Sequence, residues 1–327
     1  MMKWQATDAY SHFGLPRFGS VEQLLHYMDV HEIERAVTVL GPLVPDLQSL
    51  ARASAEHADR LRCVGIPFGE TKAQRQEIIR LQLDAGAMAI RFEYREAMED
   101  PEVLDIVGER GRWAYGIDAC RDQRIAKLYL EWLARYPDAR LAAPHFMYAG
   151  FQSNDAERAG GFITELMGHP RFYGILVRNL GMCGSIPPHD EYKAWINYVL
   201  EHCGAEHLMW GSEYPVLFWR NERAEAALEL FRGFMDTCSE EQFRLIAGTN
   251  ANEQFFSGEP PASRAIEIPG WVEEQFRRNR NVTFFPKGLE LPVDDYERLL
   301  AAYMNSPAFS QGASMSDYLL KTWKSDM

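Results

Sequence analysis

Two residues near the amino terminus have side-chain types and a spacing that could support chemistry. Tyr10 and His12 stand two positions apart at the end of a segment that we predict to be a first β-strand, and at that spacing both side chains are expected to point to the same face. An imidazole and a phenol can each donate a hydrogen bond to a developing oxyanion. A phenol with a pKa of about 10 is, however, a poor ligand for a first-row metal ion. The pair therefore indicates a site that holds substrate by hydrogen bonds.

The elements that must position these side chains alternate along the chain, with short apolar runs followed by longer segments of helical periodicity. Eight such units within about 235 residues predict a parallel sheet, because each parallel step requires a crossover helix. Eight units without a leftover strand favour a closed (β/α)8 TIM barrel over an open doubly wound sheet, and no G-x-G-x-x-G fingerprint follows any strand. The predicted strands are Trp4–Tyr10, Arg35–Leu40, Leu61–Pro67, Ala87–Phe92, Trp113–Asp118, Arg140–His145, Phe172–Arg178 and His207–Glu213. The predicted helices span residues 20–30, 46–58, 72–84, 101–109, 122–135, 156–168, 190–203 and 221–236.

We divide the chain into an α/β barrel, residues 1–256, and a helical C-terminal extension, residues 257–327. Ser239 and Gln242 have the spacing of a capping box, which predicts a helix start before this boundary. The segment Gly258–Pro261 then interrupts the helical pattern. The apolar residues that follow predict two or three short helices, packed on the barrel or on a second subunit.

Composition argues against several classes of partner. The formal net charge is −13, whereas nucleic-acid and anionic-membrane surfaces require clustered Lys and Arg. No run of about 18 apolar residues could span a bilayer, and the N-terminal residues lack the basic and apolar regions of a signal peptide. The five cysteines form no C-x-x-C pair, which is typical of a reducing compartment. We therefore expect a soluble, cytoplasmic protein.

Polar side chains recur where the predicted strands end. In a parallel barrel the functional groups lie at the carboxyl ends of the strands, where the βα-loops converge. Charged groups are costly in a packed interior but not at an open mouth, so their recurrence indicates one shared site. These residues are Tyr10, His12, Arg91, Glu93, Asp118, His145, Arg178, Asn179, Ser212, Glu213 and Tyr214.

Four motifs, in this order, resemble those of the amidohydrolase-2 family, which are TIM barrels of the amidohydrolase superfamily. Asp8–His12 is similar to the family's first-strand D-x-H-x-H motif, with Tyr10 in place of the first histidine. Ala142–Phe146 resembles the strand-six motif that contains a histidine, and Trp210–Pro215 resembles W-G-S-D-Y-P with a glutamate in place of the aspartate. Gly248–Ala251 resembles the G-x-N-A segment of the closing helix. The resemblance covers the predicted barrel and leaves the C-terminal extension outside it.

In metal-dependent members of this family, the ion is held by two first-strand histidines, a strand-five histidine and a strand-eight aspartate. The residues of this chain at those positions are Tyr10, His12, Asp118 and Glu213. We favour no cofactor. A divalent metal, Zn or Mn, is the alternative, and its ligands would be His12, Asp118, His145 and Glu213.

A metal-free subset of the family includes lactonases that act on pyrone dicarboxylates, and resemblance to this subset implies a different mechanism. His12 and His145 would polarise the scissile carbonyl, and Glu213 would activate water as the general base if partial burial raises its pKa. Arg91 and Arg178 would each hold a substrate carboxylate bidentately. The remaining substrate contacts would come from Tyr10, Asn179 and Tyr214.

We therefore expect a hydrolase of a small carboxylated lactone, ester or amide. One alternative is a metal-dependent decarboxylase or hydratase of an aromatic or unsaturated acid in the same family. A further alternative, motivated by the exchanged ligands Tyr10 and Glu213, is a barrel that isomerises, cyclises or only binds its ligand. Barrels of this family are often dimers or larger, so the resemblance also allows a homo-oligomer.

Overall fold

The protein is an eight-stranded parallel barrel in a computed structural model. The strands of the barrel are β1 Ala6–Phe13, β2 Ile33–Leu40, β3 Leu61–Gly65, β4 Ala89–Phe92, β5 Trp113–Gly116, β6 Arg140–Ala143, β7 Phe172–Leu176 and β8 Leu208–Trp210. Hydrogen-bonded neighbours follow chain order from β1 to β8, and every pair is parallel. The predicted (β/α)8 TIM barrel is confirmed. The residues that the structure describes are 6–15, 17–41, 46–147, 159–177, 191–219, 228, 232–233, 235, 237–278, 281–284, 289–310 and 318.

Helices separate the strands and continue after the barrel. They are α1 Val21–Val30, α2 Leu47–Glu56, α3 Lys72–Asp84, α4 Tyr94–Glu99, α5 Pro101–Glu109, α6 Gln123–Arg135, α7 Gly161–Met167, α8 Glu191–Cys203, α9 Val216–Trp219, α10 Glu240–Arg244, α11 Asn250–Phe256, α12 Gly270–Arg278, α13 Val293–Met304 and α14 Pro307–Ser310. Short 3-10 turns lie at His145–Met147 and Ala205–His207, and a π-helical turn at Leu245–Thr249 joins α10 to α11. No helix within the described residues combines the length and hydropathy needed to cross a bilayer.

The helices begin at residues that can cap them. The predicted capping box at the start of α10 is present, because the Ser239 hydroxyl accepts from the Gln242 N–H and the Gln242 side chain accepts in return. Asp122 caps α6 by accepting from two backbone N–H groups. The apolar face of α6 is largely buried and includes Trp132 and Leu133, which fixes the rotation of that helix on the sheet.

Differences from the predicted elements are concentrated at their ends. Strand β1 continues past Tyr10 to Phe13, which brings His12 into the strand itself. Strand β8 ends at Trp210, so Glu213 lies in the turn beyond it. Helix α4 was not predicted, because its six residues are too few for a periodicity to emerge. Much of the helix predicted at 221–236 lies outside the described residues.

The segment after the barrel contains helices and one antiparallel strand pair. Helices α12, α13 and α14 lie in the region where short helices were predicted, whereas the pair β9 Asn281–Phe284 and β10 Leu289–Pro292 was not predicted. Apolar residues of α13 are fully buried and belong to the same core as the barrel, among them Tyr296, Leu299, Leu300 and Tyr303. The Tyr303 ring lies 5.8 Å from that of Phe218, in the segment that follows β8. This contact places the C-terminal helices beside the part of the barrel that carries Glu213.

Candidate active site

Three aromatic rings meet at the carboxyl ends of β1 and β6. The Tyr10 ring packs edge-on against His12, with centroids 5.0 Å apart, and edge-on against His145, at 5.3 Å. All three side chains are buried. The structure therefore brings Tyr10, His12 and His145 together as predicted, with the phenol between the two imidazoles.

His12 has a defined protonation state in this environment. Burial lowers its pKa to about 3, and the neighbouring Arg91 and His145 act in the same direction against the opposing charge of Glu213. The ring is therefore neutral at pH 7. Its Nδ1 lies 3.2 Å from the carbonyl oxygen of Val39, which can only accept, so the single ring proton belongs on Nδ1. His12 thus presents an unprotonated Nε2, which differs from its predicted role as a hydrogen-bond donor.

His145 and Glu213 form a close polar pair. The Nε2 atom of His145 lies 3.3 Å from Oε1 of Glu213, and both side chains are almost completely buried. The contact orients the Glu213 carboxylate toward the same region as the Tyr10 and His12 rings.

The backbone at three predicted site residues is unusual for residues other than glycine. Asp118, His145 and Glu213 have φ of 58°, 55° and 57° respectively, and each lies two or three residues beyond the end of a barrel strand. This left-handed region is sparsely occupied by non-glycine residues and costs of order 1–3 kcal/mol for each. Such strain persists where surrounding contacts over-determine it, and it is concentrated at functional sites. The same turn thus recurs at the ends of β5, β6 and β8.

Arg91, at the end of β4, is a buried cation beside Tyr10. It is 9% exposed and forms an ion pair with the half-exposed Glu93. Burial would lower the Arg91 pKa, but the interactions with Tyr10, Glu93 and Glu96 outweigh it and raise the pKa. The guanidinium therefore stays charged, which is compatible with the predicted carboxylate contact of this residue.

A cavity of about 490 Å³ opens beside Arg91, which lies in its wall. Its other charged walls include Arg75 and Glu96, and its apolar wall includes Phe68. Burial raises the pKa of Glu96 to about 7, although its carboxylate accepts the backbone N–H of Glu93 at 2.8 Å. The volume lies in the range of small-molecule sites. Glu96 was not singled out from the sequence, although its spacing of three from Glu93 is that of a capping box.

The residues proposed as an alternative metal site do not form one in this structure. Asp118, in the left-handed conformation after β5, forms an ion pair with Arg121 at 3.7 Å. Among the described residues, no three His, Cys, Asp or Glu side chains converge in a way that could hold a metal ion. His12, Asp118, His145 and Glu213 all belong to those residues, and Tyr10 occupies the centre of the site with a poor ligand. As the described residues are placed, these four side chains do not converge on one metal position.

Two further predictions have different outcomes. Tyr214 lies in the core between the barrel and the C-terminal helices, with its ring stacked on Tyr27 at 4.3 Å and its hydroxyl 3.6 Å from Sδ of Met304. This placement does not support a substrate contact, because its side chain turns away from the strand end that carries Glu213. Arg178 and Asn179 lie outside the described residues.

Asp8 has an extensive set of partners that the sequence did not reveal. Its fully buried carboxylate accepts the backbone N–H groups of Tyr10 at 3.0 Å and of Ser212 at 2.9 Å, together with the Ser212 hydroxyl. Burial raises its pKa to about 6, although these hydrogen bonds lower it. The bonds join β1 to the segment that follows β8, where the first and last strands of the barrel meet.

Comparison with solved structures returns barrels of similar architecture. A probable 2-pyrone-4,6-dicarboxylic acid hydrolase from Acinetobacter baumannii with citric acid bound is 14% identical over 77% of this chain and 99% of its own, with a TM-score of 0.60. A Pseudomonas putida protein assigned to the same activity is 20% identical over 79% of this chain and 100% of its own, with a TM-score of 0.56. An amidohydrolase from Burkholderia multivorans with bound zinc is 13% identical over 77% of this chain and 99% of its own, with a TM-score of 0.57.

No protein-family model matches this sequence, and no curated protein matches it either. Because the identities to the solved structures are low, the likeness concerns the fold. The chain shares the eight-stranded parallel barrel of these solved structures.

Proposed function

We propose that this protein hydrolyses a small carboxylated lactone, ester or amide at the carboxyl ends of its barrel strands. The observation that carries the proposal is the buried pair of Glu213 and His145, 3.3 Å apart, beside a neutral His12 and a charged Arg91. A buried carboxylate held by an imidazole is a suitable general base for activating water. The two structures assigned as 2-pyrone-4,6-dicarboxylic acid hydrolases support a substrate of this class.

The proposed reaction begins with proton transfer from water to the Glu213 carboxylate. The oxygen of that water attacks the carbonyl carbon, and the carbonyl π electrons move onto oxygen to form an oxyanion. Tyr10 and Arg91 are the donors we assign to substrate oxygens, because their side chains are adjacent and both can donate hydrogen bonds. Collapse of the intermediate breaks the bond to the leaving oxygen or nitrogen, which takes the proton back from Glu213.

The two histidines have different roles. His145 places its Nε2 3.3 Å from Oε1 of Glu213 and thereby helps to hold the base in position. His12 donates to the carbonyl of Val39 and faces the site as a neutral acceptor, which can receive a hydrogen bond from substrate or water. In this proposal Tyr10 takes over the polarisation of the carbonyl that was predicted for both histidines, and Arg91 holds a carboxylate of the substrate.

The test is turnover of 2-pyrone-4,6-dicarboxylate, followed by a panel of carboxylated lactones, esters and amides, by wild-type protein and by Glu213→Gln. We expect Glu213→Gln to lower kcat by about a thousandfold, within the range for loss of a general base, and to leave KM within about threefold. Glu99→Gln is the matched control, since that carboxylate is exposed on α4 at the cavity. Near-normal turnover by Glu213→Gln, or failure to hydrolyse any member of the panel, would contradict the proposal.

Metal content provides a separate test. Protein purified without chelator is expected to contain far less than one equivalent of Zn or Mn, and prolonged dialysis against chelator should leave turnover unchanged. Stoichiometric metal that is required for turnover would instead support the decarboxylase or hydratase alternative.

A further inference from the structure

We propose that Asp8 is a positioning residue, whose buried carboxylate acts through Ser212 to hold Glu213 and Tyr10 in their reactive arrangement. The proposal rests on the proposed function, because it takes Glu213 as the base. Asp8 itself contacts neither the imidazoles nor the Glu213 side chain in any hydrogen bond of the structure's described residues. Its effect on the site must therefore pass through the backbone of its partners.

The Ser212 hydroxyl connects the two sides of Glu213. It donates to Asp8 and accepts the backbone N–H of Tyr214 at 3.0 Å. The Ser212 N–H also donates to Asp8, so the residues before and after Glu213 are both tied to one carboxylate. Between them Glu213 is held in the left-handed conformation, which costs free energy unless its surroundings enforce it.

The other half of this arrangement lies on β1. The Tyr10 N–H donates to Asp8 at 3.0 Å, and the Tyr10 carbonyl accepts the Glu213 N–H at 2.8 Å. The pairing of β1 with β2 shifts register between Asp8 and Ser11, and a bulge of this kind redirects the side chains within it. One carboxylate thereby fixes the backbone of both the phenol and the proposed base.

The contact between β1 and the segment after β8 is tightly packed. A Cβ at Gly211 would lie 2.7 Å from that of Tyr10, which is closer than real side chains approach, so the strands meet here only because residue 211 has no side chain. The N–H of His12 adds a bond to the carbonyl of Tyr214 at 2.7 Å. Because a displacement on the order of 1 Å can cost about a hundredfold in rate, loosening this contact should reduce turnover more than substrate binding.

The experiment compares Asp8→Asn, Ser212→Ala and the double variant with Ser11→Ala. Ser11 is the matched control, because it is a buried serine on the same strand whose hydroxyl donates instead to Val37 on β2. With 2-pyrone-4,6-dicarboxylate as the probe, we expect each test variant to lower kcat by about tenfold to a hundredfold, with KM within about threefold. The double variant should be no slower than the slower single variant, because both changes break one connection. Ser11→Ala should retain kcat within about twofold.

A second measurement needs no substrate. Hydrogen exchange at the amides of Glu213 and Tyr214 should accelerate by about tenfold or more in Ser212→Ala and remain unchanged in Ser11→Ala. Ser212→Ala also keeps the backbone donors to Asp8, which covers the case that Asp8→Asn fails to fold. Unchanged hydrogen exchange in Ser212→Ala would overturn the positioning role. Unchanged kcat in the Asp8 and Ser212 variants would also overturn it, provided that Glu213→Gln itself is inactive. If wild-type protein turns over no probe, the proposed function fails, and the exchange measurement still decides the role of Asp8.

Discussion

His145 Nε2 lies 3.3 Å from Glu213 Oε1, and both residues hold their backbones in the left-handed region. The two side chains come from the ends of β6 and β8, so neither neighbouring loop alone determines their contact. Further bonds secure the turn at His145, since the Phe146 carbonyl accepts from Trp195 and the Met147 carbonyl from the Cys120 N–H. The pair is a product of the barrel's geometry at its carboxyl-terminal face.

The assigned state of His12 leads to a spectroscopic prediction. At pH 7, ¹⁵N correlation spectra should show His12 neutral and protonated on Nδ1, because Nδ1 faces a carbonyl and burial opposes the charged form. Between pH 5 and pH 8 its signals should not titrate, since its pKa lies near 3. A proton on Nε2 would show that the His12 ring is oriented differently. A titration midpoint near pH 6.5 would show that the ring is exposed to water.

Asp8 should make stability depend on pH with a definite sign. Its pKa rises from 3.8 to about 6 on folding, so the folded state binds the proton more tightly. The resulting stabilisation is fully present below about pH 4 and is lost as the pH rises through about 6. At about 1.4 kcal/mol per pKa unit, the stability of Asp8→Asn relative to wild type should be about 3 kcal/mol greater at pH 7 than at pH 3.5. Urea unfolding at both pH values measures the difference; a pH-independent difference would contradict it.

Arg91 should contribute chiefly to binding. Arg91→Lys keeps the charge but loses the planar fork that grips a carboxylate, so KM should rise by about tenfold or more while the protein stays folded. Arg95→Lys provides the control, because Arg95 lies at the same cavity but is 86% exposed. Equal effects of the two substitutions on KM would show that Arg91 does not bind the substrate.

Glu96 should make anion binding weaken as the pH rises through 7. Its pKa is raised to about 7, so above that pH it adds a negative charge to the cavity that Arg91 lines. Calorimetric titration with citrate at pH 6 and pH 8 should show this loss in wild type and a smaller one in Glu96→Gln. The same pH dependence in both proteins would assign the effect to another group.

The C-terminal helices should unfold together with the barrel. Leu300 is fully buried in α13, and truncation of such a side chain typically costs about 2–5 kcal/mol. Leu300→Ala should therefore lower the midpoint of a single cooperative transition, whereas the exposed Ala302→Ser should shift it little. A separate early transition in Leu300→Ala would show that the extension is an independent unit.

Sequence periodicity was sufficient for the barrel, because β-branched runs and amphipathic helices report directly on which residues are buried. It also predicted that Tyr10 and His12 lie close together, and their rings are 5.0 Å apart although the pairing of β1 with β2 shifts register between Asp8 and Ser11. It could not give the proton of His12, which depends on the carbonyl of Val39 on the next strand. Nor could it predict that Glu213 lies in the site while its neighbour Tyr214 lies in the core. The left-handed conformation at residue 213 directs the two side chains to different regions. The role of Asp8 depends on a partner 204 positions away.

The 204 positions between Asp8 and Ser212 also determine when the site can form during synthesis of the chain. The amino-terminal strand leaves the ribosome first, but it acquires Ser212 and Glu213 only after nearly two-thirds of the chain has followed. Contacts of such long range are costly in loop entropy and form late. A nascent or partly unfolded chain therefore carries both histidines but lacks a positioned Glu213, so the proposed hydrolysis requires a barrel that has closed.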